Sequence, residues 1–383
     1  MNQKAVRSWI MYDWANSAFV TTMVAAVLPI FYADVAAAGL PDYLKTSYWG
    51  YTQTIGMVCV ALIAPILGAI ADVSGYKMIF LRLFAYLGIA ASAAFVFVGE
   101  GDYLLASFLF ILGTIGFSGG NTFYDSLLRD LVPENKRDMV SSKGYSYGYL
   151  GGGLLLAVNL LMIMKPGWFG LADTLQGTYL AFLSVAVWWF VFSIPIFRHV
   201  GPLIPRPEVK LSFARNVSAG ASRLFSTFKR IRQYPELLKY LLAFWLFNDG
   251  INTVITMATI YGATIGIGTD HLIAALLITQ FVAFPFTLLF GRIAEKFSPM
   301  KSLYFSLGVY VVIISLGYFM QTAAHFYMLA VMVGMVQGGS QAVARSIFSR
   351  LVPKRQSAEF FGFLGVSSKL SSSFGPFVFG VVG

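Results

Sequence analysis

The sequence predicts an all-α polytopic membrane protein made of two six-helix bundles related by a pseudo-two-fold axis along the membrane normal, with the last helix missing from this chain. Three observations predict it. Of 383 residues, 57% are hydrophobic and only 11% charged, against roughly 25% charged in a soluble domain; mean hydropathy is +0.72. Eleven runs are long and apolar enough to cross about 30 Å of hydrocarbon as helix. The runs on either side of one basic break repeat each other.

The runs lie at 9–34, 47–71, 78–98, 103–126, 144–164, 178–197, 239–263, 271–291, 301–320, 325–347 and 358–383. The first is too long for a signal-peptide core and carries Asp13 and Asn16, so it is expected to stay as a helix. Assigning every Lys and Arg to a segment puts 24 of 27 on one side of the membrane. Only Lys45 and Lys165 fall in loops on the other side, and Lys369 falls inside the last run. That bias predicts a cytoplasmic N-terminus. It also accounts for the net charge of +10 without nucleic acid.

Other classes drop out on composition. So few charges and 16% aromatic residues exclude a disordered chain. Cys59 stands alone, and His199, His271 and His325 are scattered, so neither a disulfide nor a metal site is expected. No G-x-x-x-x-G-K-[ST] run is present to bind ATP. No cofactor is expected, and gradient coupling is left as the source of energy.

The basic break divides the chain into 1–197, a linker at 198–238, and 239–383. Pro202, Pro205 and Pro207 open the linker. Behind them, Phe213, Val217, Leu224, Phe228 and Ile231 share a helical face, with Arg215, Arg223, Lys229 and Arg230 away from it. The pattern fits an amphipathic helix on the anionic inner leaflet, or else a solvated basic linker.

Across the linker, Asp13-x-x-Asn16-Ser17 recurs as Asp249-x-x-Asn252-Thr253, at an offset of 236. Gly68-x-x-Ala71-Asp72 recurs as Gly291-x-x-Ala294-Glu295, offset 223, and Leu131-Val132-Pro133 as Leu351-Val352-Pro353, offset 220. The last register pairs Asn121 with Gln341 and Asp125 with Arg345. Three matches in one order indicate duplication of a six-helix unit. Both halves then share one orientation, as in a major facilitator transporter, with substrate held between them near the midplane. Two such halves need twelve helices, so the chain is expected to lack its twelfth.

The segment from Gly68 through Asp72 and Gly75 to Lys77 looks like the major facilitator loop motif G-x-x-x-D-x-x-G-x-K, although Val73 and Tyr76 stand where basic residues are common. The glycines permit a tight turn and close helix approach, and Asp72 is placed to cap or pair at the interface. By resemblance this loop helps hold an outward-open state. Further matches are Tyr12-Asp13-Trp14-Ala15-Asn16-Ser17, Asn248-Asp249-Gly250, Lys143-Gly144-Tyr145, Gly148-Tyr149-Leu150-Gly151, Glu359-Phe360-Phe361-Gly362, Lys369 and Gly375-Pro376. These resemble the vacuole-effluxer branch of that superfamily along essentially the whole chain. Fungal members export amino acids from the vacuole, and that activity is what the resemblance implies.

Charges inside a membrane helix are costly and are functional candidates by default. Asp249 lies about 15 Å into its helix, near the midplane, with Asn252, Thr253 and Thr256 on its face. It is expected to bind a substrate amine or a proton, the alternative being a hydrogen bond to a neighbouring helix. Asp13 is its repeat partner, with a structural pair to Arg82 or Arg129 as the competing role. Trp14 is placed either in the same cavity or in an interfacial belt. Lys369, among Ser367, Ser368, Ser371, Ser372 and Ser373, is expected to face the cavity and receive a carboxylate, or else to serve in an ion pair. Asn16, Asn121 and Asn252 would orient the substrate, and Gln341 is a weaker candidate. Gly144, Gly148 and Gly152, with Gly113, Gly116 and Gly120, predict close helix packing.

The expected function is secondary active transport of a small metabolite, plausibly an amino acid, by alternating access with proton coupling. A membrane enzyme would need clustered His, Asp or Glu, whereas these candidates are dispersed between the halves. A non-transporting sensor or partner-binding protein on the same scaffold is the alternative. Partners are a small-molecule substrate, protons and membrane lipids, with the chain a monomer in a bacterial plasma membrane.

Overall fold

A computed structural model describes residues 1–204, 213–353 and 355–382, apart from the side chains at 213, 214, 228, 230, 231, 256, 257, 259, 260, 370 and 372–382. The sequence readings at Pro205, Pro207, Phe213, Phe228, Arg230, Ile231, Thr256, Ser372, Ser373, Gly375 and Pro376 lie outside what is described. Every long element is helical, as hydrocarbon requires of a chain that must satisfy its own backbone.

The first half holds α1 (Gln3–Ala36), α2 (Asp42–Ser74), α3 (Lys77–Ala94), α4 (Tyr103–Leu131), α5 (Arg137–Met164) and α6 (Thr174–His199). A linker helix, Phe213–Arg230, precedes α7 (Pro235–Thr264), α8 (Thr269–Lys296), α9 (Pro299–Gly317), α10 (Ala323–Leu351) and α11 (Ser357–Val382). Each of the eleven apolar runs thus falls mainly on its own helix, the third and ninth extending past the helix ends at Ala94 and Gly317. Among the described residues, nine of these helices are long and apolar enough to cross a membrane.

Local chemistry sets the ends. The Asn2 side chain accepts from the amides of Lys4 and Ala5 at the start of α1, and Asp173 caps α6 through Gln176. Proline opens α7 and α9, where its missing N–H is no loss. Gly75 ends α2 at φ +68°, a left-handed conformation that favours glycine. Within α1, the stretches Phe19–Val27 and Tyr32–Ala36 are π-helical.

Apolar clusters fill each half. Trp9, Tyr12, Phe84 and Phe123 pack in one, Phe19, Met23, Phe182 and Trp189 in another, with Tyr240, Phe244, Phe348 and Phe360 beyond the linker. Phe97, Tyr318 and Val311 instead point outward, 78%, 83% and 63% exposed, as lipid-facing side chains must.

The halves meet along two seams that the repeat relates. One is α2 against α11, where Gly68 lies against the backbone of Ala358 and Gly362 against Pro65. The other is α5 against α8, where Gly291 lies against Ser142 and Gly153 against Gln280. Glycine is needed at Gly68, because a Cβ there would meet the Ala358 carbonyl carbon at 2.7 Å. The expected glycine packing is present within the first half as well. Gly148 and Gly152 on α5 lie against Ser17 and Thr21 of α1, and Gly116 on α4 lies against the backbone of Gly88 on α3.

The linker segment forms a helix that packs on α2 and α11 through residues outside the five that mark its apolar face. Gly220 lies against Ile70 of α2, Asn216 and Thr227 are buried, and Arg223 turns inward. Arg223, read from the sequence as lying away from the apolar face, is 3.2 Å from the buried Glu359, which matches its charge.

Candidate substrate cavity

At mid-depth between the halves lies a cavity of about 230 Å³, below the roughly 300–1,000 Å³ of drug-sized sites. The first half lines it with Asn121, Asp125 and Tyr145; the second with Asn248, Asn252, Gln341, Arg345 and Lys369. Phe117, Phe244, Phe247 and Phe361 supply apolar wall.

Of the residues singled out by sequence, Asn121, Asn252 and Lys369 line this cavity. Asn16 is buried behind it and donates to the Asn121 side-chain oxygen at 2.7 Å, so it acts on the cavity through Asn121. Asp249 is half-buried between Asn248 and Asn252 and is not among the lining residues; its backbone carbonyl accepts from Thr253 at 2.8 Å. Trp14 stacks on Trp188 with ring centroids 5.3 Å apart and is not among the residues lining the cavity.

Asp13 has a different partner from the two foreseen. Its Oδ2 lies 3.1 Å from Arg345 Nη2 and accepts from the Tyr124 hydroxyl at 2.7 Å. Arg345 also donates from Nη1 to Asp125 at 2.9 Å, and to both oxygens of Ser141. The guanidinium lies 4.2 Å from the Tyr145 ring centroid and 4.8 Å from that of Trp9. One arginine of α10 is therefore clasped by α1, α4 and α5, with two carboxylates offsetting its desolvation. Counting basic residues had treated Arg345 as a loop charge, whereas its side chain is 4% exposed. The repeat register was the signal that could have found it, since it aligns Asp125 with Arg345 and the two are in contact.

Below the cavity, toward the end rich in Lys and Arg, polar contacts join the halves in layers. The Arg129 and Arg137 side chains donate to the Ser349 carbonyl at 2.8 and 3.1 Å. Asp138 accepts from Ser346 and from Arg350, both at 2.6 Å. At the base the expected loop motif assembles: Asp72 accepts from the amides of Ala358 and Glu359 at 3.2 and 2.9 Å, capping α11, and lies 3.2 Å from Lys77. Lys77 in turn reaches Asp130 at 2.9 Å and Ser357 at 2.6 Å. Further bonds between the halves, Ser141 to Ala342, Ser146 to Phe284, Tyr149 to Gln341 and Arg350 to Glu134, lie between mid-depth and this basic end. The cavity is thus sealed on the basic side.

Residues 41–383 match the family described as Vacuole effluxer Atg22 like. The chain belongs to that family. A Bacillus subtilis relative, the uncharacterized MFS-type transporter YxiO, is 38% identical over 99% of this chain and 88% of its own length. Autophagy-related protein 22 of Saccharomyces cerevisiae S288c is 22% identical over 99% of this chain and 86% of its own.

Solved structures show the fold of this Atg22-like chain. The proton:xylose symporter XylE superposes with a TM-score of 0.66 at 15% identity, covering 99% of this chain and 87% of that one. The human organic anion transporter MFSD10 gives 0.69 at 14% identity, covering 98% and 92%. A bacterial homologue of the iron transporter ferroportin in an outward-facing state gives 0.67 at 13%, covering 99% and 91%. The protein is an integral, multi-pass membrane transporter with the major facilitator fold.

Proposed function

We propose that this Atg22-like protein carries a small amphoteric metabolite, an amino acid, across a bacterial plasma membrane by alternating access coupled to protons. In this reading residues 1–197 and 239–383 are the moving bundles and 198–238 their linker. The basic end faces the cytoplasm, as the positive-inside bias suggests, and the arrangement described is the outward-facing one. The gate is the motif at Gly68, Asp72, Gly75 and Lys77.

One observation carries the proposal: a cavity of metabolite size between the halves, lined by amides and by charges of both signs, and sealed toward the basic end. Lys369 receives the substrate carboxylate. Asn121 and Asn252 orient the molecule, with Asn16 holding Asn121. Asp249 and Asp13, the repeat-related pair, take the coupling proton or the amine.

The test is uptake of a labelled amino-acid panel into proteoliposomes, with and without an imposed pH gradient, beside Asp249→Asn. Gradient-driven accumulation that this variant loses supports the reading. Accumulation indifferent to both gradient and variant removes proton coupling through Asp249, and no accumulation of any amino acid refutes the substrate class.

A further inference from the structure

We propose that Asp125 is the cavity's receptor for the substrate ammonium group, which takes the place of the Arg345 Nη1 now bonded to it. The inference rests on the amphoteric-substrate reading above and departs from it in naming Asp125 rather than Asp13 or Asp249.

Exposure separates the two carboxylates that hold Arg345. The Asp125 side chain is 23% exposed and lines the cavity, while Asp13 is 11% exposed and does not. Asp13 is also held on the same oxygen by Tyr124, at 2.7 Å. Asp125 has Arg345 alone among the described side-chain partners, at 2.9 Å. It is the contact a soluble cation can both reach and replace.

Charge balance favours the exchange. With Asp13 and Asp125 both ionised, Arg345 sets one positive charge against two negative ones. Buried unpaired charge is strongly unfavourable, and an arriving ammonium satisfies it. Giving up Asp125 does not strand Arg345, which keeps Asp13, both Ser141 oxygens and the Tyr145 and Trp9 rings. Lys369, on the opposite half, lines the same cavity for the carboxylate. Substrate binding would then exchange the direct α4–α10 ion pair for a bridge through the bound molecule, and so loosen the sealed basic side from within.

The experiment uses the full chain in lipid nanodiscs and isothermal titration calorimetry. The twenty amino acids are screened, and the tightest binder is compared with its N-acetyl derivative, which lacks the positive charge, and its decarboxylated amine. The native protein is expected to bind the N-acetyl derivative on the order of tenfold to a hundredfold more weakly, the worth of one charged hydrogen bond. Asp125→Asn should abolish that discrimination and Asp125→Glu should retain it. Asp125→Ser serves the same purpose if the Asn variant does not fold. Lys369→Gln should instead abolish the preference over the decarboxylated amine. Discrimination that survives both neutral Asp125 variants overturns the proposal. A native protein that binds the amine through Asp125 but no amino acid upholds the receptor and overturns the amphoteric substrate. Binding of none of the three compounds overturns both.

Discussion

Replacing Asp72 by Asn removes one charge and leaves the shape almost unchanged, which makes it the sharpest probe of the seal. The carboxylate accepts two amides at the first turn of α11, at 3.2 and 2.9 Å, and lies 3.2 Å from Lys77. A hydrogen bond to a charged group contributes about 1.5–3 kcal/mol and a neutral one roughly half as much. An anion at a helix N-terminus adds about 0.3–1 kcal/mol, more when partly buried. Lys77 keeps Asp130 and Ser357, so its own charge is not orphaned. The net loss is about 2 kcal/mol, or roughly thirtyfold in a two-state equilibrium. A protein resting at about 99:1 sealed to open would fall to roughly 3:1. Spin labels at the exposed Lys136 and Lys296, on opposite halves and with Cys59 replaced by Ser, read this as a second, longer distance population. A distribution that changes by less than about threefold would refute the assignment of Asp72 as a principal tie.

Other variants probe the core of the same assembly. Arg345→Gln leaves Asp13 and Asp125 without their cation and should lower stability by about 3–5 kcal/mol, seen as a lower unfolding temperature in detergent; adding Asp125→Asn should recover part of it. Gly144→Val drives a side chain into Asp13 and comes within 2.9 Å of Arg345 Nη2 at its Cβ, so over-packing of at least 1–3 kcal/mol is expected in the same assay. Arg223→Ala removes the partner 3.2 Å from Glu359, whose side chain is fully buried. Faster proteolysis of the linker helix, with no change in cleavage of the loop between α6 and the linker, would show that this pair holds the helix down.

The helices were legible because apolar length is a constraint that hydrocarbon imposes on each run separately. Asn121, Asn252 and Lys369 were legible as cavity residues because a polar group in such a run has few other places to go. Rotation within a helix was not. Successive residues point about 100° apart, so Asn248 and Asn252 reach the cavity lining while Asp249 does not. Partners distant in sequence were the other gap. Nothing near Asp13 names Arg345, 332 positions away, and an arginine close to a helix end reads as a topological charge. The repeat register did place Asp125 opposite Arg345, because residues aligned by a two-fold axis can meet on it when they lie near it. The linker is a related case: its pattern marked an apolar face, while the docked face is set by Gly220 and by Arg223 against the buried Glu359.

The two seams between the halves occupy equivalent places in the repeat register, yet they do not carry the same charges. At α2 against α11, Asp72 caps a helix and joins Lys77 and Asp130. At α5 against α8 the equivalent residue is Glu295, which is exposed and appears in none of the described ion pairs. Close approach is kept at both, by Gly68 and by Gly291, so packing is shared and electrostatics are not. The two-fold relation would make the seams equivalent levers, whereas from this difference in charge the first is expected to act as the lock and the second as a hinge. Glu295→Gln is therefore expected to leave the distance distribution between Lys136 and Lys296 unchanged. An exposed charge contributes about 0–1 kcal/mol, which shifts a 99:1 equilibrium far less than the loss of Asp72. If Glu295→Gln opened the basic end as far as Asp72→Asn, both seams would be locks, and the division of labour between them would be wrong.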